Sequence, residues 1–330
     1  MRVGFQQADF DALAGLWARV YPERYHVTPA LLRAKTTESP LFDWGASFME
    51  LRDGAPVAFT AVKRSAGRLY KGPDKDVAHL TGLAFDDPLV GIDLMAVTKQ
   101  VLRERGIHGL RFGQDAGHFF PGCPSDCLAL RDFLIVEGFE EGEEVVDLER
   151  DLASYEPPEG ALDAVHAWSG GPLPACDPGK AVVAPISPEH ALLLKEFLMR
   201  EFPGRWAYDT LRLLDREERH DGVFALFIDG AIEGFALTQA EGQKIPIGGA
   251  VWHLNLGEKW GSLGPIGVSH RVRGKGYGGA LLGATLCVLR DRGVRRCIID
   301  WTTLVEFYGK HGFEPTRTYR VFNLALDAPA

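Results

Sequence analysis

The chain has 330 residues, 46% of them apolar and 25% charged, with a net charge of −9. This length predicts two domains whose cores need no disulfide staple. The acidic balance argues against general nucleic-acid binding, which requires a basic footprint.

The opening MRVGFQQADFDALAGLW carries acids inside its apolar run and does not read as a signal peptide. No apolar run reaches the length of a membrane span. Five cysteines at irregular spacing read as reduced thiols, which predicts a cytoplasmic location. MELRDGAPVAFTAV, around Asp53, alternates, turns at Asp-Gly and alternates again, which predicts a hairpin. HLTGLAF reads as a strand and IDLMAVTKQVLRERG as a helix, with DDPLVG (Asp86 to Gly91) between them.

The stretch GQDAGHFFPG, Gly113 to Gly122, follows a strand and holds Asp115, His118, Phe119 and Phe120. Two readings fit it: a polar and aromatic loop lining an acceptor cleft, or a capping loop with both phenylalanines in the core. His118, Cys123 and Cys127 lie close together, but a zinc site would need a fourth ligand in a second close pair, so no metal is expected. Residues 151–177 are rich in Pro, Gly and Ala without sustained period and read as a linker or long covering loop.

In the second half KAVVAPI is a strand, and Ser187 followed by Pro188 marks a helix start. HALLLKEFLMREF and AYDTLRLLDREE are helices by their apolar spacing. VFALFID and AIEGFALT form a second Asp-Gly hairpin. A polar insert with aromatic punctuation, including WHLNLGEKWG, precedes SLGPIGV. A helix from about Gly278 to Arg292, the strand RRCIIDW, the short helix LVEFYGK and a closing strand TYRVFNLAL complete the half.

Three phrases recur in the same order in both halves: the Asp-Gly hairpins, VLRERGI with VLRDRGV, and EGFEE with HGFEP. Their offsets agree within about a dozen residues, as a diverged duplication predicts. The expected organisation is a domain over 1–150, a linker over 151–177 and a domain over 178–330. Each domain is a mixed α/β layered unit, an α+β arrangement with helices on both faces of a sheet.

Between SLGPIGV and the following helix stands RGKGYGG, Arg273 to Gly279. The first amides of a helix lack intrahelical partners and carry the positive end of the dipole. Gly274, Gly276 and Gly278 allow close approach to the backbone, and Arg273 and Lys275 add charge. The combination suits a pyrophosphate. A Walker loop would need Gly-Lys-Ser/Thr, and a Rossmann turn would need the first strand of a βαβ unit; neither fits.

VSHRVRGKGYGGALL resembles motif A of the GCN5-related N-acetyltransferases, with Arg273, Gly276 and Gly278 at the Arg/Gln-x-x-Gly-x-Gly/Ala positions. IIDWTTLVEFYGKHGFEP resembles motif B of that family and puts Tyr308 at its tyrosine position; Trp301 stands where the family has Asn. The resemblance covers nearly all of 178–330. It implies two tandem domains of mixed, mostly antiparallel sheet flanked by helices, with acetyl-coenzyme A as co-substrate held by Arg273, Gly274, Lys275, Gly276, Tyr277 and Gly278. It also implies that the pantetheine arm runs along the backbone of Ile266 and Val268, and that an amide near Ile266 or Gly267 receives the oxyanion. Tyr308 would be the general acid and Asp300 a candidate base, with His253 as a second.

In the first half DDPLVG replaces the basic glycine turn, and Leu134 stands where the second half has Tyr308. Two acids repel a phosphate and Pro88 removes an amide donor, so the first half reads as a degenerate acetyltransferase domain. The expectation is one competent site, acetylating the primary amine of a small molecule in a monomer or homodimer. A peptide or protein amine, or a non-catalytic acyl-coenzyme A binding module, are the alternatives.

Overall fold

The computed structural model describes residues 1–65, 76–167, 181–217 and 221–326, with only the backbone of 167, 216 and 217. Of the expected linker, residues 168–177 lie outside the described residues. Both hairpins form as read: Asp53 and Gly54 have φ of 52° and 83°, and Asp229 and Gly230 have 50° and 79°. A two-residue type I′ turn requires that left-handed pair.

The chain divides into two compact units, Met1–Val145 with Arg317–Ala330, and Val146–Thr316. In the first, β1 (Arg2–Gly4) is followed by α1 (Phe10–Val20), α2 (Pro29–Lys35), β2 (Phe48–Arg52) and β3 (Ala55–Arg64). Then come β4 (Val77–Phe85), α3 (Pro88–Glu104), β5 (Gly109–Phe112), the short β6 (Cys123–Pro124), α4 (Leu128–Val136) and the start of β7 (Glu140–Asp151). Strands β1 to β4 pair antiparallel in sequence order, and β5 lies parallel to β4. Helix α1 starts where the Asp9 carboxylate accepts from the Asp11 and Ala12 amides, and it turns Leu13, Leu16 and Trp17 inward.

The loop 113–122 belongs to this core. Phe120 stacks on Trp17 with ring centroids 5.7 Å apart. Asp115 is buried and ion-paired with buried Lys63 at 2.6 Å, and the Thr81 hydroxyl donates to the same carboxylate. Nearby positive charge, chiefly Lys63, outweighs burial and holds the Asp115 carboxyl below its ordinary pKa. His118 and Phe119 are equally buried. The packing reading of this loop is the one its side chains follow, because each is engaged inside the first unit. Cys123 and Cys127 are free, buried thiols raised in pKa mainly by burial.

The second unit takes the rest of β7, then β8 (Val165–Ala167), β9 (Ala181–Pro185), α5 (Ala191–Glu201) and α6 (Arg205–Glu217). It continues through β10 (Val223–Ile228), β11 (Ala231–Ala240), β12 (Trp260–Val268), α7 (Tyr277–Asp291), β13 (Arg296–Thr302), α8 (Val305–Gly309) and the first residues of β14 (Glu314–Ala325), which from Arg317 onward belongs to the first unit. Its sheet runs β8-β9-β10-β11-β12-β13-β7, parallel at the β8–β9 and β12–β13 contacts and antiparallel elsewhere. Strand β8 lies inside the expected linker. Helix α7 packs Ala280, Leu281 and Ala284 with Phe224, Leu226 and Ala236, and Leu282 and Leu286 with Leu148, Ile299 and Phe313. Among the described residues, no helix is long and apolar enough to cross a membrane.

The unit boundaries differ from the expected 1–150 and 178–330 because two strands change unit. The predicted closing strand of the second half instead pairs in the first: Asn323, Leu324 and Ala325 register with Arg111, Leu110 and Gly109. Conversely Val146 and Leu148–Asp151 of β7 register with Thr302 and Ile299–Arg296 of β13. Each unit is thus completed by a strand that a cut at the sequence linker would assign to the other.

Candidate active site

Strand β12 pairs with β13 only over Trp260–Ser262, opposite Arg296–Ile298. Beyond Ser262 the two parallel strands no longer pair, so the rest of β12 has one edge open. On the other edge β11 continues, with Gly234, Phe235 and Ala236 opposite Val268, Gly267 and Ile266. The Ser269 amide donates to the Glu233 carbonyl at 2.8 Å. Antiparallel ladders alternate, so Gly267, two residues earlier, also bonds inward to Phe235. Ile266 and Val268 therefore turn their backbone groups to the open edge. Of the two oxyanion donors read from the sequence, the Ile266 amide is on the open side and the Gly267 amide is not. Pro265 has no amide hydrogen to offer.

The open strand leads into the glycine turn. Arg273, Gly274, Lys275 and Gly276 are exposed, and Tyr277 and Gly278 half-buried. Helix α7 begins at Tyr277, with left-handed Gly276 (φ 83°) as its N-cap, no side-chain cap and no acid in the first turn. A Cβ at Gly274 or Gly276 would meet nothing within 4 Å, so these glycines serve backbone conformation and leave the space before the helix clear. The Arg273 Nε donates to the Val268 carbonyl at 3.3 Å, tying the turn to the end of the open strand. Buried Glu233 accepts from the Ser269 hydroxyl and from Arg271, and the His270 amide donates to Glu201 at 3.1 Å.

The corresponding helix start in the first unit is closed. The Asp87 carboxylate caps α3, accepting from the Leu89 amide at 3.0 Å, with Pro88 at the first helical position. Asp86 accepts from two Arg19 nitrogens, Nε and Nη2, each at 2.9 Å. A side-chain carboxylate thus occupies the position an external anion would need, and buried Leu134 offers no hydroxyl.

Near the open edge of β12 lies a cavity of about 220 Å³. Ile266, Asp300, Trp301 and Tyr308 line it, together with Arg205, Trp206 and Asp209 of α6. The structure thus brings both sequence-predicted catalytic residues together. Tyr308 is 6% exposed, and burial, reinforced by the Asp300 charge, holds its phenol pKa well above the ordinary value. At neutral pH it carries its proton. Asp300 packs closely against backbone: a Cβ on Gly248 would stand 2.7 Å from its Oδ1, and Gly248 is left-handed besides (φ 54°). His253 is not among the cavity residues; its Nδ1 faces the Ala250 carbonyl at 3.0 Å and its ring lies 5.4 Å from that of Trp260.

Sequence reasoning missed the α6 contribution and the shape of the turn at Trp301. Residue 301 has φ 46°, at an irregularity in the β13–β7 pairing between Ile299 and Thr302. Its amide donates to buried Asp147 at 3.2 Å, and the Arg205 guanidinium sits 4.2 Å from its ring centroid. The sequence signal was the departure itself, Trp where motif B has Asn.

The family model described as the acetyltransferase (GNAT) family matches residues 192–313. No match was found among curated proteins. Among solved structures, the chain is similar to a region of a fungal multi-domain GH3 β-N-acetylglucosaminidase described as a GCN5-related glucosamine N-acetyltransferase region. That likeness has 19% identity and a TM-score of 0.83, over 98% of this chain and 38% of that one. This chain therefore spans well under half of that protein's length. A GCN5-related N-acetyltransferase from Sphaerobacter thermophilus matches at 17% identity and TM-score 0.66, over 99% and 95% of the two chains. A tandem GNAT protein from the clavulanic acid biosynthesis pathway matches at 17% and 0.60, over 100% and 99%. Residues 192–313 accordingly match the acetyltransferase (GNAT) family, in a chain whose fold is that of a tandem GNAT protein.

Proposed function

We propose that the second unit transfers an acetyl group from acetyl-coenzyme A to the primary amine of a small molecule. The observation that carries this reading is the continuity of three parts: an uncapped glycine-led helix start, an open strand edge leading from it, and a cavity holding Tyr308 and Asp300 beside that edge. The amides opening α7, with Arg273 and Lys275, suit the pyrophosphate. The outward groups of Ile266 and Val268 suit an amide-bearing arm added as a strand.

In this reading the amine nitrogen attacks the thioester carbonyl, forming the C–N bond, and the C–S bond then breaks. The Ile266 amide faces the developing oxyanion. Asp300 takes the proton that the amine loses, directly or through water, and Tyr308 donates its proton to the departing thiolate. A phenol whose pKa is raised by burial stays protonated until that thiolate appears. The similar fungal region is described as a glucosamine N-acetyltransferase, which makes glucosamine the first acceptor to test. Thiol release from acetyl-coenzyme A is measured across a panel of amines that includes glucosamine, amino acid amides and peptides. Turnover with small amines supports the reading; turnover with peptides alone moves the acceptor to a protein amine. Tight binding without turnover on any amine makes the unit an acyl-coenzyme A binding module.

A further inference from the structure

The α6 wall of the cavity is not used by the chemistry above, yet it carries the most unusual polar pair in the site. Arg205 and Asp209 stand one helical turn apart, with their nearest charged atoms at 3.8 Å and side chains 20% and 6% exposed. Such a separation is an ion pair without a direct hydrogen bond. Among the described residues the Arg205 guanidinium makes no hydrogen bond; besides Asp209 it meets the Trp301 ring, 4.2 Å from the centroid. A guanidinium with five donors, mostly sheltered and fixed on an aromatic face, therefore borders a cavity with its hydrogen-bonding capacity open.

We propose that Arg205 and Asp209 form an acceptor subsite that recognises hydroxyl groups, and that the substrate is a hydroxylated amine of the amino-sugar class. This rests on the acetyl-transfer reading above and specifies its acceptor. The argument is one of donor and acceptor balance. A hydroxyl both donates and accepts, so one placed beside the pair can accept from the Arg205 guanidinium and donate to an Asp209 oxygen. A carboxylate or phosphate only accepts; it would suit Arg205 but face the Asp209 charge. A second ammonium would suit Asp209 but face Arg205. Trp206 and Trp301 supply apolar surface for the C–H face of a ring. The cavity, of about 220 Å³, is far larger than the roughly 10–15 Å³ of such space that one water needs.

The test compares glucosamine, glucosamine 6-phosphate and cyclohexylamine as acceptors, in wild type and in Arg205→Gln and Asp209→Asn. Wild type is expected to show a KM at least tenfold lower for glucosamine than for cyclohexylamine, with the phosphorylated sugar the poorer of the two sugars. Each variant is expected to erase that tenfold preference while the KM for acetyl-coenzyme A stays within twofold. Preference for the phosphate, or variants that retain the glucosamine preference, would overturn the assignment. Should Asp209→Asn not fold, Arg205→Gln, at a partly exposed position, carries the comparison alone. Calorimetry of glucosamine with the coenzyme A-loaded protein separates the two levels. Binding that Arg205→Gln abolishes, without turnover, supports the subsite and sinks the transfer reading; no binding sinks the subsite.

Discussion

The carboxylate of Asp147, on β7, accepts the backbone hydrogen of Trp301, on β13, at 3.2 Å. Trp301 is the residue that leaves the strand in a left-handed conformation, unusual for a bulky side chain and worth about 1–3 kcal/mol of strain. The bond holds that conformation, which leaves the indole on the cavity wall under Arg205. Asp147→Ala should therefore lower stability by about 1.5–3 kcal/mol, the net worth of a hydrogen bond to a charged group. It should also raise the acceptor KM more than that for acetyl-coenzyme A. Chemical denaturation and steady-state kinetics check both; an unaltered acceptor KM would leave Asp147 a structural residue.

The same strand decides what can be cut away. A chain of 178–330 lacks Val146–Asp151 and β8, so β13 and β9 would each lose a partner strand and expose an edge. It should fail to give a cooperative thermal transition or to bind coenzyme A. Normal folding of that fragment would show the exchanged strand to be dispensable.

The glycine turn is tested by charge. Arg273→Ala combined with Lys275→Ala should weaken acetyl-coenzyme A by at least tenfold, about 1.4 kcal/mol. Titration calorimetry should find one site per chain, since the first unit caps its equivalent helix with Asp87. Two equal sites, or unchanged affinity in the double variant, would contradict this reading.

Tyr308→Phe removes a hydroxyl and little volume. The kcat should fall by roughly 10²-fold or more while coenzyme A binding barely moves, as for loss of a general acid. Asp300→Asn should lower kcat most at the low end of the pH range if Asp300 accepts the proton of the amine. An unchanged kcat in either variant returns that residue to a packing role.

His311 makes stability depend on pH. Burial first, and then the Arg150 charge, lowers its pKa from 6.5 to about 4, and its Nδ1 lies 2.8 Å from the Tyr155 hydroxyl. The folded protein keeps this imidazole neutral where the unfolded chain binds a proton. Its contribution is intact above about pH 6.5, is lost progressively as pH falls to about 4, and is constant below that. Melting curves of wild type and His311→Gln across this range should converge at the acid end as that contribution is lost. Parallel curves would assign the histidine no linkage.

Local chemistry was legible in the sequence where it is set by a few adjacent residues. Asp-Gly between alternating runs specified both hairpins, because left-handed φ at two successive positions suits those residues. RGKGYGG specified an uncapped, charged helix start, and DDPLVG a closed one, because capping depends on side chains next to the first amides. Tyr308 and Asp300 were found through motif order, and the fold brings them to one cavity. The exchange of β7 and β14 was not legible, because which sheet edge each strand completes depends on register over more than a hundred residues of separation. Arg205, Asp209 and Asp147 were equally silent, since a charged residue on a helix or strand reads as solvated until packing buries it. Those residues acquire their part in the site only when α6 and β7 are laid beside β13, a relation of tertiary contact that no local spacing encodes.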